Sequence, residues 1–239
     1  MNAYGKLYLI PTTLGEMNPE EVLPVTVKRT LEFIDYYIVE NEKTARRFIK
    51  SVLPEKKQPD LKLFALNKHT EVTEHYEFIK PLLEGKNMGL MSEAGCPGVA
   101  DPGAAIVKLA HEKGIQVVPL VGPSSILLAM MASGMNGQSF AFNGYLPIDK
   151  SEKKNALKNF EKLSFDKNQS QLFIETPYRN NKLMEDLLQI LQPSTHLCVA
   201  CDITLPTEYI KTFTVNQWKK NKVDLHNRPC IFILHKMNS

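Results

Sequence analysis

Long apolar runs are missing from this 239-residue chain. The longest, Ile126 to Ala132, has seven residues, against the roughly 20 that a membrane-spanning helix needs. Charge is missing locally: Gly114 to Ile148 holds no Asp, Glu, Lys or Arg over 35 residues. Broken by Gly, Pro and Ser, that stretch reads as the buried centre where two halves of the chain meet, with no contact to a membrane expected. Met1 to Leu14 lacks the basic start, long apolar centre and small-residue cleavage site of a secretory signal, so a cytoplasmic location is expected. Cysteine is scarce, with Cys96, Cys198, Cys201 and Cys230 alone. The middle pair forms a C-x-x-C, but no further ligands at zinc spacing accompany it, and no metal is expected. Leu197 to Cys201 also reads as a strand, which sends Cys198 and Cys201 to opposite faces as core thiols.

Several common catalytic signatures are absent as well. There is no G-x-x-x-x-G-K-[ST] phosphate loop, no H-E-x-x-H zinc helix and no G-x-S-x-G nucleophile elbow. The first strand is followed by Pro11-Thr-Thr-Leu-Gly15 where a dinucleotide site would show G-x-G-x-x-G, which weakens a nicotinamide oxidoreductase. A ligand without a pyrophosphate is expected. Neither internal repeats nor low-complexity segments occur.

What is present is an alternation of short apolar runs and amphipathic segments. Strands are expected at Lys6 to Ile10, Tyr36 to Val39, Leu61 to Leu66, Asn87 to Ser92 and Ile115 to Leu120. Helices are expected over Pro19 to Phe33, Lys43 to Leu53, Thr70 to Leu83, with Pro81 ending or kinking it, and Ala104 to Lys113. Five strands alternating with four helices imply a parallel sheet covered on both faces, occupying residues 1–120. From residue 121 to 239 the pattern becomes mixed α/β. A helix over Ser125 to Ala132 precedes a strand at Ser139 to Leu146, a Lys-rich helix over Glu152 to Leu163, and a strand at Gln171 to Glu175. Thr176 to Arg179 forms a turn into a helix over Lys182 to Leu191, and strands follow at His196 to Asp202, near Glu208 to Thr214, and at Cys230 to His235.

The net charge of +3 is unevenly placed: residues 1–120 carry 15 basic and 16 acidic side chains, residues 121–239 carry 14 and 10. Clusters at Lys150, Lys153, Lys154 and Lys158, and at Lys219, Lys220 and Lys222, suit phosphates, although a solvated surface explains either cluster by itself.

The most informative residues are two Gly/Pro loops, Ser92-Glu-Ala-Gly-Cys-Pro-Gly-Val-Ala-Asp-Pro-Gly103 and Val121-Gly-Pro-Ser-Ser125, each following a strand and opening a helix. Asp101 and Pro102 suit the N-cap and first turn, and Gly114 the C-terminal stop, of the helix between them. In open parallel sheets ligands bind at this carboxyl edge. Gly95 and Gly98 would let backbone approach a ligand closely, and Ser124 and Ser125 offer hydroxyls and helix-start amides.

With Leu7 to Gly15, Asn143-Gly-Tyr-Leu-Pro147, Phe173-Ile-Glu-Thr-Pro-Tyr-Arg179 and Ile203-Thr204 through Glu208, these loops stand in an order that resembles the tetrapyrrole methylase family of S-adenosylmethionine-dependent methyltransferases. The resemblance spans nearly the whole chain and is nearest to the branch that methylates a cytidine ribose 2′-hydroxyl in small-subunit ribosomal RNA. It implies a homodimer of two-domain α/β chains with S-adenosyl-L-methionine in the cleft between domains. Cofactor contacts carried over from it fall at Pro11, Gly95, Cys96, Val99, Ser124, Ser125 and Glu175. Ribosomal RNA or the small ribosomal subunit would be the partner.

Methyl transfer needs in-line positioning of the acceptor and a base near its hydroxyl. Glu40, Asp101 and Glu175 are candidates because each ends or follows a strand, Arg179 could hold a phosphate or carboxylate, and His69 ranks with them. Each could equally serve structure, Asp101 as a cap and Glu40 and Glu175 as loop braces. The branch usually shows Ala-Glu-Asp-Thr-Arg where this chain has Val39-Glu-Asn-Glu-Lys43, and a His-Glu-His-Asn-Glu-like stretch where it has Asn67-Lys-His-Thr-Glu71. Other readings are methylation of a precorrin-type tetrapyrrole carbon, or a cofactor-binding module with little catalysis.

Overall fold

The computed structural model describes residues 4–67 and 70–237. The chain divides into two units, the first ending at Ser124 and the second starting at Ser125.

The first unit alternates β1 (Leu7–Leu9), α1 (Val25–Phe33), β2 (Tyr36–Val39), α2 (Glu42–Val52), β3 (Lys62–Ala65), α3 (Val72–Leu83), β4 (Met88–Met91), α4 (Gly103–Glu112) and β5 (Val117–Pro119). The strands form one sheet in the order β3-β2-β4-β1-β5, every pair parallel. Period-two alternation divides the strand side chains between two cores. Ile38 and Leu90 pack with Ile79 and Leu82 of α3 and Ile106 and Leu109 of α4. Tyr37, Val39 and Met91 pack with Leu31 of α1 and Ala45 and Ile49 of α2 on the other face. The neighbours β1 and β4 therefore send their connections to opposite faces, which opens a crevice at their carboxyl ends.

Three helices of this unit differ from their sequence expectation at a proline. The span Pro19 to Phe33 is broken: Pro19–Glu21 is a single 3-10 turn, and Pro24, with extended backbone at ψ 151°, stands immediately before α1. Proline lacks the N–H that an uninterrupted helix would need there and holds the preceding residue out of helical geometry. Helix α4 starts at Gly103, with Pro102 at its N-cap position. Asp101 still caps it from one residue further out, its Oδ1 accepting the Gly103 N–H at 2.8 Å. Pro81 lies inside the last turn of α3 without ending it, and the helix stops at Leu83, before Gly85 at φ 85°.

The second unit contains α5 (Ser125–Ser133), β6 (Phe140–Tyr145), α6 (Lys150–Lys167), β7 (Ser170–Ile174), α7 (Asn180–Ile190), β8 (His196–Cys201), β9 (Tyr209–Thr214), α8 (Val215–Trp218) and β10 (Cys230–His235). Its sheet runs β6-β7-β10-β8-β9, with β6 and β7 parallel and the other pairs antiparallel. Buried Phe173, Phe232, Leu187, Val199 and Trp218 form its core. Helix α6 exceeds its expected span at both ends because Asp149 accepts the Ser151 and Glu152 N–H groups, and only Asn168, at φ 48°, turns the chain out. Cys201 lies beside Cys230 across the β8–β10 ladder and joins this core, whereas Cys198 faces away toward Thr212.

Candidate active site

The crevice of the first unit is built from three loops that follow β1, β4 and β5. The Thr12 N–H donates to the Gly95 carbonyl at 2.9 Å, joining the first loop to the second. The Cys96 thiol reaches the Pro123 carbonyl at 3.4 Å, joining the second to the third. Burial pushes that thiol above its ordinary pKa, so it stays protonated and serves as this donor. A Cβ on Gly122 would stand 2.3 Å from Cβ and Cγ of Pro11, so glycine is what lets the third loop lie against the first. Pro11, Gly95, Cys96 and Ser124, separated by up to 113 positions in sequence, thus come together in one unit.

The two loop glycines act differently. Gly95, at φ 73°, is approached by Leu14 and by the Pro123 carbonyl, to 3.1 and 3.3 Å from the place a Cβ would take. Gly98, at φ 83°, has open space there, so within the protein it is the backbone dihedral that requires glycine. Val99 is half exposed, and Ala100 takes a left-handed φ of 62°. Both carboxylate oxygens of Asp101 accept the Gly98 N–H, at 2.8 and 2.9 Å. With the bond to Gly103, this closes the loop on itself.

Glu40 projects from the end of β2 toward this loop. Its pKa is raised, first by burial and then by the nearby charges of Asp101 and Glu93, while the Glu93 N–H lowers it. Burial also raises Asp101, against the lowering by its hydrogen bonds from Gly103 and Gly98. The gap beside the two carboxyls, lined by Leu66, Leu90 and Pro97, is too narrow for water. In the altered Val39 to Lys43 stretch, Asn41 Oδ1 accepts the Lys43 and Thr44 N–H groups at 2.9 and 3.2 Å and caps α2. In the second altered stretch the Glu71 N–H donates to Glu74 at 2.9 Å, while His69 lies outside the described residues.

Beside the loops lies a cavity of about 430 Å3 that sequence reasoning missed. Thr12, Thr13, Phe48, Arg47, Ser92 and Glu93 are among its walls. The Thr12 hydroxyl is buried there without a hydrogen-bond partner. The motif Pro11 to Gly15 signalled the first wall, but the second is one face of α2, which only tertiary packing turns toward β4.

In the second unit Glu175 follows β7, and its carboxylate is almost wholly buried. It accepts the Thr176 N–H at 2.7 Å, Arg179 Nε at 3.0 Å and the second Arg179 nitrogen at 2.8 Å. The Arg179 guanidinium stays partly exposed, 5.3 Å from the Tyr178 ring centre. Glu175 thereby orients Arg179. Ser125 opens α5.

A parallel five-stranded sheet whose carboxyl edge is made of Gly/Pro loops, followed in the chain by a mixed five-stranded sheet, is an α/β enzyme architecture with a ligand edge at those loops. The chain belongs to the tetrapyrrole (corrin/porphyrin) methylases, whose family model matches residues 6–218, and is an S-adenosylmethionine-dependent methyltransferase. The ribosomal RNA small subunit methyltransferase I of Escherichia coli O157:H7 is 29% identical over 209 residues, 87% of this chain and 69% of that protein. Among solved structures, the methyltransferase CobJ superposes with a TM-score of 0.65 at 15% identity, covering 97% of this chain and 94% of that one. The uroporphyrin-III C-methyltransferase of Thermus thermophilus, complexed with S-adenosyl homocysteine, does so with 0.59 at 17% identity, covering 97% and 98%. These two likenesses establish the fold.

Proposed function

We propose that the protein transfers the methyl group of S-adenosylmethionine to the 2′-hydroxyl of a cytidine ribose in small-subunit ribosomal RNA, acting as a cytoplasmic homodimer. The observation that carries the acceptor is the likeness to a ribosomal RNA small subunit methyltransferase over 87% of the chain. The donor contacts in this reading are Pro11, Gly95, Cys96, Val99 and Ser124 of the first unit, with Ser125 and Glu175 of the second. The residues present fit such a donor: from 95 to 99 and from 121 to 125 no side chain carries a charge, and the N–H groups at the start of α5 suit a carboxylate. The bound donor supplies an electrophilic methyl on a sulfonium.

The chain's own residues position and deprotonate the acceptor. Glu40, with its raised pKa, takes the ribose hydroxyl proton, since a carboxylate nearer the operating pH is the better base. Asp101 holds the loop shape through Gly98 and Gly103. Arg179, oriented by Glu175, binds an RNA phosphate. Among the described residues no helix is long and apolar enough to cross a membrane.

The family's own description supports a second acceptor, a tetrapyrrole carbon. Mapping methylated nucleosides in ribosomal RNA from cells with and without the protein separates the two. Loss of one 2′-O-methylcytidine from small-subunit RNA supports our reading; an identical map with methylation of a precorrin-type macrocycle by purified protein replaces it. Sedimentation of the purified chain tests the dimer.

A further inference from the structure

We propose that the cavity between the Thr12–Met17 loop and α2 seats the acceptor nucleotide, with Glu93 reading its base. This rests on the RNA reading above and adds to it the acceptor site and its selectivity. Four observations converge on the cavity. Its volume, about 430 Å3, accommodates a small organic ligand. Thr12 is among its lining residues, and the Thr12 hydroxyl is buried and unpaired, a state that costs on the order of a hydrogen bond unless a side-chain rotation brings it to a ligand. Phe48 contributes an aromatic ring to the same wall, and a ring of this kind stacks on a base. Arg47 stands at the mouth, bound at 3.1 Å to Glu16, and the two side chains are 70% and 87% exposed. So exposed a pair is weak, and a phosphate displaces Glu16 readily.

Glu93 gives the selectivity. One of its oxygens accepts from the Thr44 hydroxyl at 3.2 Å, which orients the carboxylate in the cavity wall. An acceptor-only group there pairs with the exocyclic amine of cytosine and meets the carbonyl of uracil with repulsion. The Thr12 hydroxyl then donates to a ring acceptor of the base. The same loop carries Glu93 and, two residues on, the Gly95 assigned to the donor, and the Glu93 N–H bonds the Glu40 carboxyl. Base reading, proton acceptance and donor binding thus meet on one loop of the first unit.

The test is titration of the full chain with cytidine and uridine 5′-monophosphates, followed by ligand-observed NMR, alongside small-subunit methylation by the same proteins. Wild type should prefer the cytidine nucleotide about tenfold; E93Q should remove most of that preference. R47A should weaken both nucleotides equally, and T12V, which keeps the shape, should weaken cytidine monophosphate several-fold. Absence of cytidine monophosphate binding, or binding that none of the three variants changes, overturns the proposal. If ribosomal RNA is methylated normally by T12V and E93Q, the cavity fails while the RNA reading stands. If binding responds as stated but the ribosomal map is unchanged without the protein, the cavity stands and the acceptor is another cytidine-containing RNA.

Discussion

Glu40, the base in the proposed reaction, is a side chain whose ionised form is costly to the fold. Its pKa lies above the ordinary 4.5, so the folded state binds its proton more tightly than the unfolded chain does. The sign follows: this contribution to stability is fully present below pH 4.5 and is lost as the pH rises through the raised value. Urea unfolding of wild type between about pH 4 and pH 7 should show that loss together with the like one from Asp101, and E40Q should reduce it while stopping methyl transfer. A variant with an unchanged stability profile and normal turnover would remove Glu40 as the base. Glu175 is the opposite case, a carboxylate whose burial is compensated by Thr176 and Arg179. Sequence reasoning selected Glu40, Asp101 and Glu175 for their positions after strands, and that rule was sound for placement. It could not distinguish a carboxylate consumed in bracing a loop, as Asp101 is by Gly98 and Gly103, from one facing other charges.

Elements with local signals were legible, and those set by packing were not. All ten strands among the described residues were readable because short β-branched and apolar runs sit between Gly, Pro and Asn breaks, and Cys230 to His235 was placed to the residue. Helix ends were harder where the cap is a polar residue outside the apolar pattern, as with Asp149 and α6. Four-residue α8 carries too little periodicity to be seen; it exists because Thr214 and Gln217 cap it reciprocally and Trp218 is buried against the β8 carbonyl of Leu197. The same reasoning gives Asn41 a measurable weight. Asn41→Ala should cost α2 about 1 kcal/mol by removing the acceptor of two N–H groups, lowering the melting temperature by roughly 2–4 °C in calorimetry. Because α2 carries Arg47 and Phe48, nucleotide binding should weaken with it. A variant that melts with wild type would show the cap to be dispensable.

At the scale of the whole molecule, the excess of positive charge in the second half is where the RNA reading can be tested. The structure divides its lysines. Lys153 is buried and bound to Asp186 at 3.3 Å, so it serves the fold, whereas Lys150, Lys154 and Lys158 are exposed along α6. Replacing those three with glutamine should weaken RNA binding uniformly across sequences and reduce the slope of log affinity against log salt by about one per lysine. Filter binding over a salt series measures this, and an unaltered slope would place the RNA elsewhere.

The sequence by itself determined the fold class, the five-plus-five arrangement of strands, and the Gly/Pro loops at the carboxyl edge of the first sheet, because these depend on local periodicity and backbone dihedrals. Tertiary structure alone decided three things. It brought Pro11, Cys96 and Gly122 together across 111 residues, turned Arg47 and Phe48 on α2 toward Thr12 and Glu93, and spent Asp101 on its own loop. Those depend on strand order: β1 lies between β4 and β5, and β4 lies between β1 and β2. Short-range pattern carries no record of which distant strands become neighbours, and the cavity beside Thr12 exists only once they are.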